Sequence, residues 1–228
     1  MWKIWAEAYD RSLSPQNRAA RGNAHRRVMV RFNDAERSHL TSLCERARAL
    51  VGMCPRLSAT PLRLVGVRQE LENGYPHTHG DTICLHYPRF FDLAEKDQLS
   101  ILVHEWIHVY QRFFPIPLHK YLFEVENMRV VGLRTAHPDS ETVRRNPDVN
   151  DLIYTTLSKG GRYSLLTLRE GAQSLTDSEM RHYDEDNRLV QVSKLVPDNE
   201  HPFEWVAYSL TRKIVDNRLD PRIASVYF

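Results

Sequence analysis

Residues 99–112 read LSILVHEWIHVYQR and give the strongest helical pattern in the chain. Apolar side chains recur here at spacings of three and four residues: Leu99, Leu102, Val103, Trp106, Ile107 and Tyr110. This spacing is typical of an amphipathic helix with one buried face. Asp92 and Glu95 have the spacing of a capping box just before it, and Pro115 and Pro117 follow it. The pattern therefore predicts a capped helix that ends before the prolines.

The same helix carries the sequence His104-Glu105-Trp106-Ile107-His108. Four residues along an α-helix turn by about 400° and rise by about 6 Å, so both imidazoles face one side and can bind one cation. Glu105 lies about 100° from His104 around the helix, a position suited to a water on the metal rather than to the metal itself. Burying these polar groups among apolar neighbours costs free energy unless they have such a task. We therefore predict that His104 and His108 bind a metal and that Glu105 is the catalytic base.

A catalytic zinc needs a third protein ligand, with water at the fourth position. We predict that Glu204 is this ligand, because it lies in the first turn of a helix that Pro202 opens. The helix dipole would also favour an acidic residue there without any metal. The alternatives are five other residues: Glu124, Glu126, His86, His119 and His201. His77 and His79 could also chelate a metal as a pair, although the adjacent Gly80 is typical of an ordinary loop.

Fewer signals mark the rest of the chain. Short apolar and β-branched runs predict strands at Arg27–Phe32, Leu62–Arg68 and Thr82–His86. Asn33 and Glu36 form a capping box that starts a helix, and Gly52 ends it. Residues 152–168 predict a β-hairpin with a turn at two glycines, and the acidic stretch 170–190 predicts an exposed excursion. These elements predict an α+β fold with a small sheet and two helices that carry the chemistry.

The composition suits one compact domain over residues 27–228 with a basic arm at residues 1–26, since 42% of the 228 residues are hydrophobic. The net charge of +2 gives no general reason to expect nucleic acid or a membrane as a partner. The sequence contains no run of about 18 apolar residues, so no membrane span is predicted. The segment MWKIWAEAYDRS lacks the apolar core of a signal peptide. The three cysteines match no zinc-binding spacing. We therefore expect free thiols, a reducing compartment and a soluble, cytoplasmic protein.

Three segments resemble the zincin fold, and specifically the gluzincin group of metallopeptidases: HEWIHVYQR, TICLH before it, and HPFEWVAY near the C-terminus. This resemblance implies one Zn²⁺ per chain, with His104, His108 and Glu204 as ligands and Glu105 as the base. It also implies that Thr82–His86 is an edge strand along which an extended peptide substrate lies antiparallel.

The chain departs from the thermolysin-like members of that group. The 95 residues between His108 and Glu204 are more than its best-known members use. Tyr208 stands where the thermolysin-like members have an Asp that orients the first histidine. Asp148, Asp151 or a backbone carbonyl would then have to orient the ligands. Tyr208 itself could donate a hydrogen bond to the oxyanion, or it could be only a packed aromatic residue.

The segment Arg145-Asn146-Pro147-Asp148 and the hairpin after it are also similar to a small group of HExxH proteins of large DNA viruses and some microbes. Together these features predict a zinc metallopeptidase. Glu105 would take a proton from the attacking water and return it to the leaving amine, while Tyr208 or His201 stabilises the oxyanion. Two alternatives remain open. The chain could be a non-catalytic zincin-like module that keeps zinc for structure, or a nucleic-acid binder that uses the basic residues 1–31.

Overall fold

A computed structural model describes residues 29–68, 75–144, 146, 148–156, 160–168, 178–194 and 201–228. These residues combine helices with small sheets, so the predicted α+β class is confirmed. They divide into two compact units. The first contains the described residues up to Pro115 together with Ala207–Phe228, and the second spans Ile116–Val206. The predicted basic arm at residues 1–26 lies outside the described residues.

Among the described residues, the first unit holds a four-stranded sheet. Its strands, in chain order, are β1 (Met29–Val30), β2 (Arg63–Val67), β3 (His77–His79) and β4 (Thr82–His86). They lie in the order β1-β2-β4-β3, with β2 and β4 parallel and the other two pairs antiparallel. The strands predicted at Leu62–Arg68 and Thr82–His86 are confirmed. The strand predicted at Arg27–Phe32 is represented by β1.

Strand β4 is not an edge strand, contrary to the prediction. Strand β2 pairs with β4 along its whole length, and β3 pairs with Thr82, Ile83 and Cys84 on the other side. The outer strand on this side of the described sheet is therefore β3. An extended peptide cannot add to β4 along these three residues, because the backbone hydrogen-bonding positions are already used within the sheet.

The helices are α1 (Asp34–Leu50), α2 (Pro55–Ser58), α3 (Glu95–Phe113), α4 (Pro115–Glu124), α5 (Pro202–Val215) and α6 (Pro221–Tyr227). The predicted start of α1 is confirmed. The Asn33 side chain accepts a hydrogen bond from the backbone N–H of Glu36 at 2.9 Å, and the Glu36 carboxylate accepts one from the N–H of Asn33 at 2.8 Å. At its other end, α1 passes into a 3-10 turn at Val51–Met53 that contains Gly52.

Helix α3 is the central helix of the first unit and packs against α1, α2, β3 and β4. Its apolar stripe is fully buried, and the indole N–H of Trp106 donates to the Thr60 carbonyl at 3.2 Å. The capping box predicted at Asp92 and Glu95 is wrong. Asp92 ends a 3-10 turn, and the extended backbone at Leu93 and Ala94 moves the helix start to Glu95, with no side-chain cap.

Helix α4, which contains both prolines, was not predicted. Pro115 does follow the end of α3, but it also occupies the first position of α4. A proline is tolerated there because the first N–H groups of a helix have no intrahelical acceptor. The pair of prolines that was interpreted as the end of α3 therefore also marks the start of α4.

The strands of the second unit are β5 (Met128–Leu133), β6 (Leu152–Thr156), β7 (Tyr163–Leu168), β8 (Ser178–Tyr183) and β9 (Leu189–Lys194). Strand β5 pairs with β6, and β7, β8 and β9 form an antiparallel sheet in that order. The two strands predicted within residues 152–168 are confirmed, but their pairing as a hairpin is wrong. Each joins a different sheet, around a core of five buried residues: Val143, Ile153, Tyr163, Leu165 and Tyr183.

The exposed excursion predicted for residues 170–190 is wrong in its second half, where strand β8 forms. Ser178, Met180 and Tyr183 are buried there, and the Tyr183 hydroxyl donates to Asp139 at 2.5 Å. Residues 170–177 lie outside the described residues. Among the described helices, none combines the length and the apolar character that crossing a membrane requires.

Candidate metal centre

Helix α3 places the two histidines of the motif side by side. The Nε2 atoms of His104 and His108 are 3.1 Å apart, and their ring centroids are 4.7 Å apart. Two nitrogens that bind one tetrahedral zinc at about 2.05 Å are separated by roughly 3.3 Å. The helix therefore already holds both donor atoms close to the separation that a shared zinc ion requires.

Gln111 fixes the orientation of His108. Its Oε1 lies 2.9 Å from His108 Nδ1, and both side chains are buried. An amide oxygen can only accept a hydrogen bond, so Nδ1 carries the proton in this arrangement. The lone pair of the neutral ring is then on Nε2, the atom that lies next to His104 Nε2. A hydrogen bond of this kind is typical of histidines that bind metals.

The third predicted ligand, Glu204, lies in the first turn of α5. This helix runs without interruption to Val215, so Tyr208 follows Glu204 one turn later on the same face. The Tyr208 ring lies against the His104 ring, with centroids 4.4 Å apart. One ligand atom from each of His104, His108 and Glu204 lies within 4.8 Å of the other two. Among the described residues, this trio is the group of three His, Cys, Asp or Glu side chains whose ligand atoms lie close enough together to hold a metal ion.

Asn146 holds the Glu204 carboxylate. Its Oδ1 accepts a hydrogen bond from the backbone N–H of Asp148 at 2.8 Å, so its Nδ2 donates to Glu204 Oε1, also at 2.8 Å. Both ends of the amide are thus assigned by their partners. A carboxylate can accept a hydrogen bond and still coordinate a cation, because its two oxygens offer about four acceptor positions.

Glu105 and Tyr208, the two predicted catalytic residues, differ in their exposure. Glu105 is 5% exposed, and Tyr208 is 39% exposed. The first is therefore a carboxylate shielded from bulk water, and the second presents part of its side chain to solvent beside His104. A buried carboxylate is suited to accept a proton, and a partly exposed phenol is suited to donate a hydrogen bond to a bound group.

The alternative acidic ligands do not join the trio. Glu124 is exposed and lies 3.8 Å from Lys120 Nζ, and Glu126 accepts a hydrogen bond from the Tyr121 hydroxyl at 2.5 Å. Asp151, a predicted orienting residue, accepts a hydrogen bond from the Thr135 hydroxyl.

The alternative histidines also lie outside the trio. Both ring nitrogens of His201 bond to backbone groups: Nδ1 accepts from the N–H of Phe203 at 3.1 Å, and Nε2 donates to the Leu152 carbonyl at 3.1 Å. This histidine therefore supports the start of α5. Its N–H already donates to the Leu152 carbonyl, so it does not supply the hydrogen bond to the oxyanion that was predicted for it. His119 Nε2 bonds to the Tyr154 hydroxyl at 2.8 Å. The last three belong to strands of the first sheet: His77, His79 and His86.

Gln111 and Asn146, which hold His108 and Glu204 in place, were not predicted from the sequence. A signal existed for Gln111, because it follows His108 by three residues on the same helix and is a polar residue in an apolar stretch. No comparable signal marked Asn146, which is 58 positions from Glu204 in the chain. Only the folded chain brings that amide to the carboxylate.

None of the three cysteines belongs to the trio of potential metal ligands. Cys44, Cys54 and Cys84 are free thiols, as predicted, and burial raises the pKa of Cys54 to about 11. A thiol with a raised pKa is neutral at physiological pH and binds metals poorly. Comparison with models of protein families, with curated proteins and with solved structures gives no match to this chain.

Proposed function

We propose that the chain is a zinc-dependent hydrolase, and specifically a metallopeptidase, in which His104, His108 and Glu204 hold the metal. The observation that supports this proposal is the trio of ligand atoms within 4.8 Å of one another. Two imidazoles and one carboxylate are the ligand set of many catalytic zinc sites, and they leave a fourth position for water. Bound zinc would lower the pKa of that water towards about 7 and polarise the scissile carbonyl group.

The protein's own residues carry the proton transfers of this proposal. The Glu105 carboxylate accepts a proton from the attacking water and then delivers it to the leaving amine. Its burial keeps bulk water from competing for that proton. The Tyr208 hydroxyl, beside His104, donates a hydrogen bond to the developing oxyanion. A peptide substrate would be bound in an extended form along β3 rather than along Thr82–His86, because β3 is the outer strand next to β4 in the described sheet.

Substitution of Glu105 by Gln tests the proposal. The amide cannot accept the proton, so peptide hydrolysis should fall by roughly 10² to 10⁴-fold, while the zinc content stays at one ion per chain. The assay is cleavage of a mixed fluorogenic peptide library, with zinc measured by mass spectrometry. Glu124→Gln is the matched control, since it removes an exposed carboxylate outside the trio and should leave both values unchanged.

Three outcomes would contradict the proposal. A Glu105→Gln protein with native activity would show that another group is the base. Purified protein that contains no zinc and takes none up would remove the site itself. One zinc per chain without any peptide hydrolysis would instead favour the non-catalytic module. A His104→Ala protein should lose the metal in either case, because two ligands hold zinc far more weakly than three.

A further inference from the structure

A separate cavity of about 610 Å³ lies in the second unit. It is bordered by the ends of β5 and β6, by strands β7 to β9 and by the start of α5. Its volume falls within the range of small-molecule sites in proteins. Part of its lining is apolar and buried, namely Tyr154, Tyr163 and Met180, and Trp205 adds an indole from α5. The cavity therefore offers an aromatic surface to the body of a ligand.

The charged side chains around this cavity are mostly cationic. Arg162 and Lys194 line it and are exposed, and neither forms an ion pair with a carboxylate in the part of the chain that the structure describes. Among the described residues that line the cavity, Glu126 is the one carboxylate, and it already accepts the Tyr121 hydroxyl. A guanidinium and an ammonium that share a partly enclosed space attract an anion, and the guanidinium can bind a carboxylate with two parallel hydrogen bonds.

Hydroxyl groups complete the polar part of the lining. His182 bonds to the Ser164 hydroxyl through Nδ1 at 2.7 Å and to the Ser193 hydroxyl through Nε2 at 2.8 Å. This chain of bonds holds three lining side chains in place across β7, β8 and β9. The Thr156 hydroxyl is buried at the cavity and has no hydrogen-bond partner among the described residues. A buried hydroxyl in that state gains free energy when a ligand supplies an acceptor.

We propose that this cavity binds a small organic carboxylate with an aromatic or aliphatic body. The carboxylate group lies between Arg162 and Lys194, and the body packs on Tyr154 and Tyr163. The same chemistry is offered by a free small acid and by the C-terminal residue of a peptide. Binding in this cavity is independent of the proposed metal centre, since the residues that line it lie in Ile116–Val206 and none is a proposed metal ligand.

The test is titration calorimetry on the full chain with N-acetyl-phenylalanine and with its neutral amide. The acid should bind and the amide should bind at least tenfold more weakly, because the amide lacks the charge. Arg162→Gln and Lys194→Gln should each weaken binding of the acid by about tenfold. Arg188→Gln is the matched control: Arg188 is an exposed cation just before β9 but does not line the cavity, so its loss should change nothing.

Two further measurements distinguish binding in the cavity from binding to zinc, and a peptide C-terminus from a small acid. His104→Ala protein should bind N-acetyl-phenylalanine with unchanged affinity, whereas a probe that coordinates zinc would lose affinity. The tripeptide Ala-Ala-Phe with a free C-terminus, measured in Glu105→Gln protein against its amide, distinguishes a peptide terminus from a small acid as the source. Equal binding of acid and amide would overturn the proposal, as would native affinity in both cavity variants or no binding at millimolar concentration.

Discussion

At the scale of the single residue, Gln111 shows how this site depends on a group that does not touch the proposed metal. The side chain is fully buried, and its amide oxygen accepts a hydrogen bond from the Nδ1–H of His108. Without that acceptor the ring could rotate or place its proton on Nε2, where it would block coordination. The hydrogen bond therefore prepares one ligand before any metal arrives.

Replacing Gln111 by Leu should lower the affinity for zinc by roughly 10 to 100-fold, the usual cost of losing such an orienting bond. Replacing it by Glu should preserve the affinity, because a carboxylate accepts the same hydrogen bond. Competition with a fluorescent zinc chelator measures both values. Thermal unfolding of the metal-free proteins shows whether each variant is folded. Equal zinc affinity in the Leu variant and the native protein would mean that Gln111 only fills space.

The close approach of the two histidines could be predicted because it is local, whereas the bond that holds Glu204 could not. His104, Glu105 and His108 lie within one helical turn, so their geometry follows from the helix alone. Asn146 reaches Glu204 only through the fold, and its amide is turned the right way by the backbone N–H of Asp148. Nearly every residue has a backbone N–H, so no sequence pattern identifies the one that orients the Asn146 amide.

At the scale of the element, the start of α1 can be tested on its own. The reciprocal bonds between Asn33 and Glu36 satisfy two N–H groups that have no intrahelical acceptor. Asn33→Ala removes the hydrogen bond from the N–H of Glu36. It should lower the free energy of unfolding by about 1 kcal/mol, as measured by urea titration. Ser38→Ala is the control, because Ser38 is an exposed position inside α1 and alanine favours a helix there. A loss no larger than that of the control would show that the cap contributes nothing.

The strands of the second unit show where local patterns fail. Gly160 and Gly161 were interpreted as a hairpin turn, and both do have positive φ values of 61° and 77°. However, a Cβ on Gly161 would lie 2.1 Å from the Glu185 carboxylate, so this glycine also permits a close approach from the segment after β8. Strands β6 and β7 then pair with other partners, β5 and β8. Partner choice depends on the whole sheet, and a turn sequence specifies only that the chain reverses.

At the scale of the whole molecule, the net charge of +2 at pH 7 is close to zero, so general charge repulsion is weak there. Buried groups with lowered pKa values add a pH dependence of their own. Burial lowers the pKa of both His119 and His137 from the ordinary value, and the nearby Asp139 only partly opposes this effect at His137. Both histidines lie in the second unit.

The bonds of His137 explain why its neutral form is preferred. Its Nδ1 accepts the backbone N–H of Asp139 at 3.0 Å, so its Nε2 carries the proton towards the Tyr163 hydroxyl at 2.9 Å. A second proton on Nδ1 would remove the first bond and charge a ring that is 5% exposed. Because the unfolded chain binds protons at the ordinary histidine pKa of about 6.5, and the folded chain only below it, stability must fall as the pH falls through this window.

Hydrogen exchange of the backbone amides in β7 and β8 should therefore become faster, relative to the intrinsic exchange rate, when the pH is lowered from 7.5 to 5.5. His137→Gln removes one of the two histidines with a lowered pKa while keeping a side chain that can hydrogen-bond, so this dependence should become shallower in the variant. The comparison of slopes matters more than the absolute protection, since the substitution also changes packing against Tyr163 and Tyr183. An unchanged slope would show that His137 does not couple protonation to the stability of this unit.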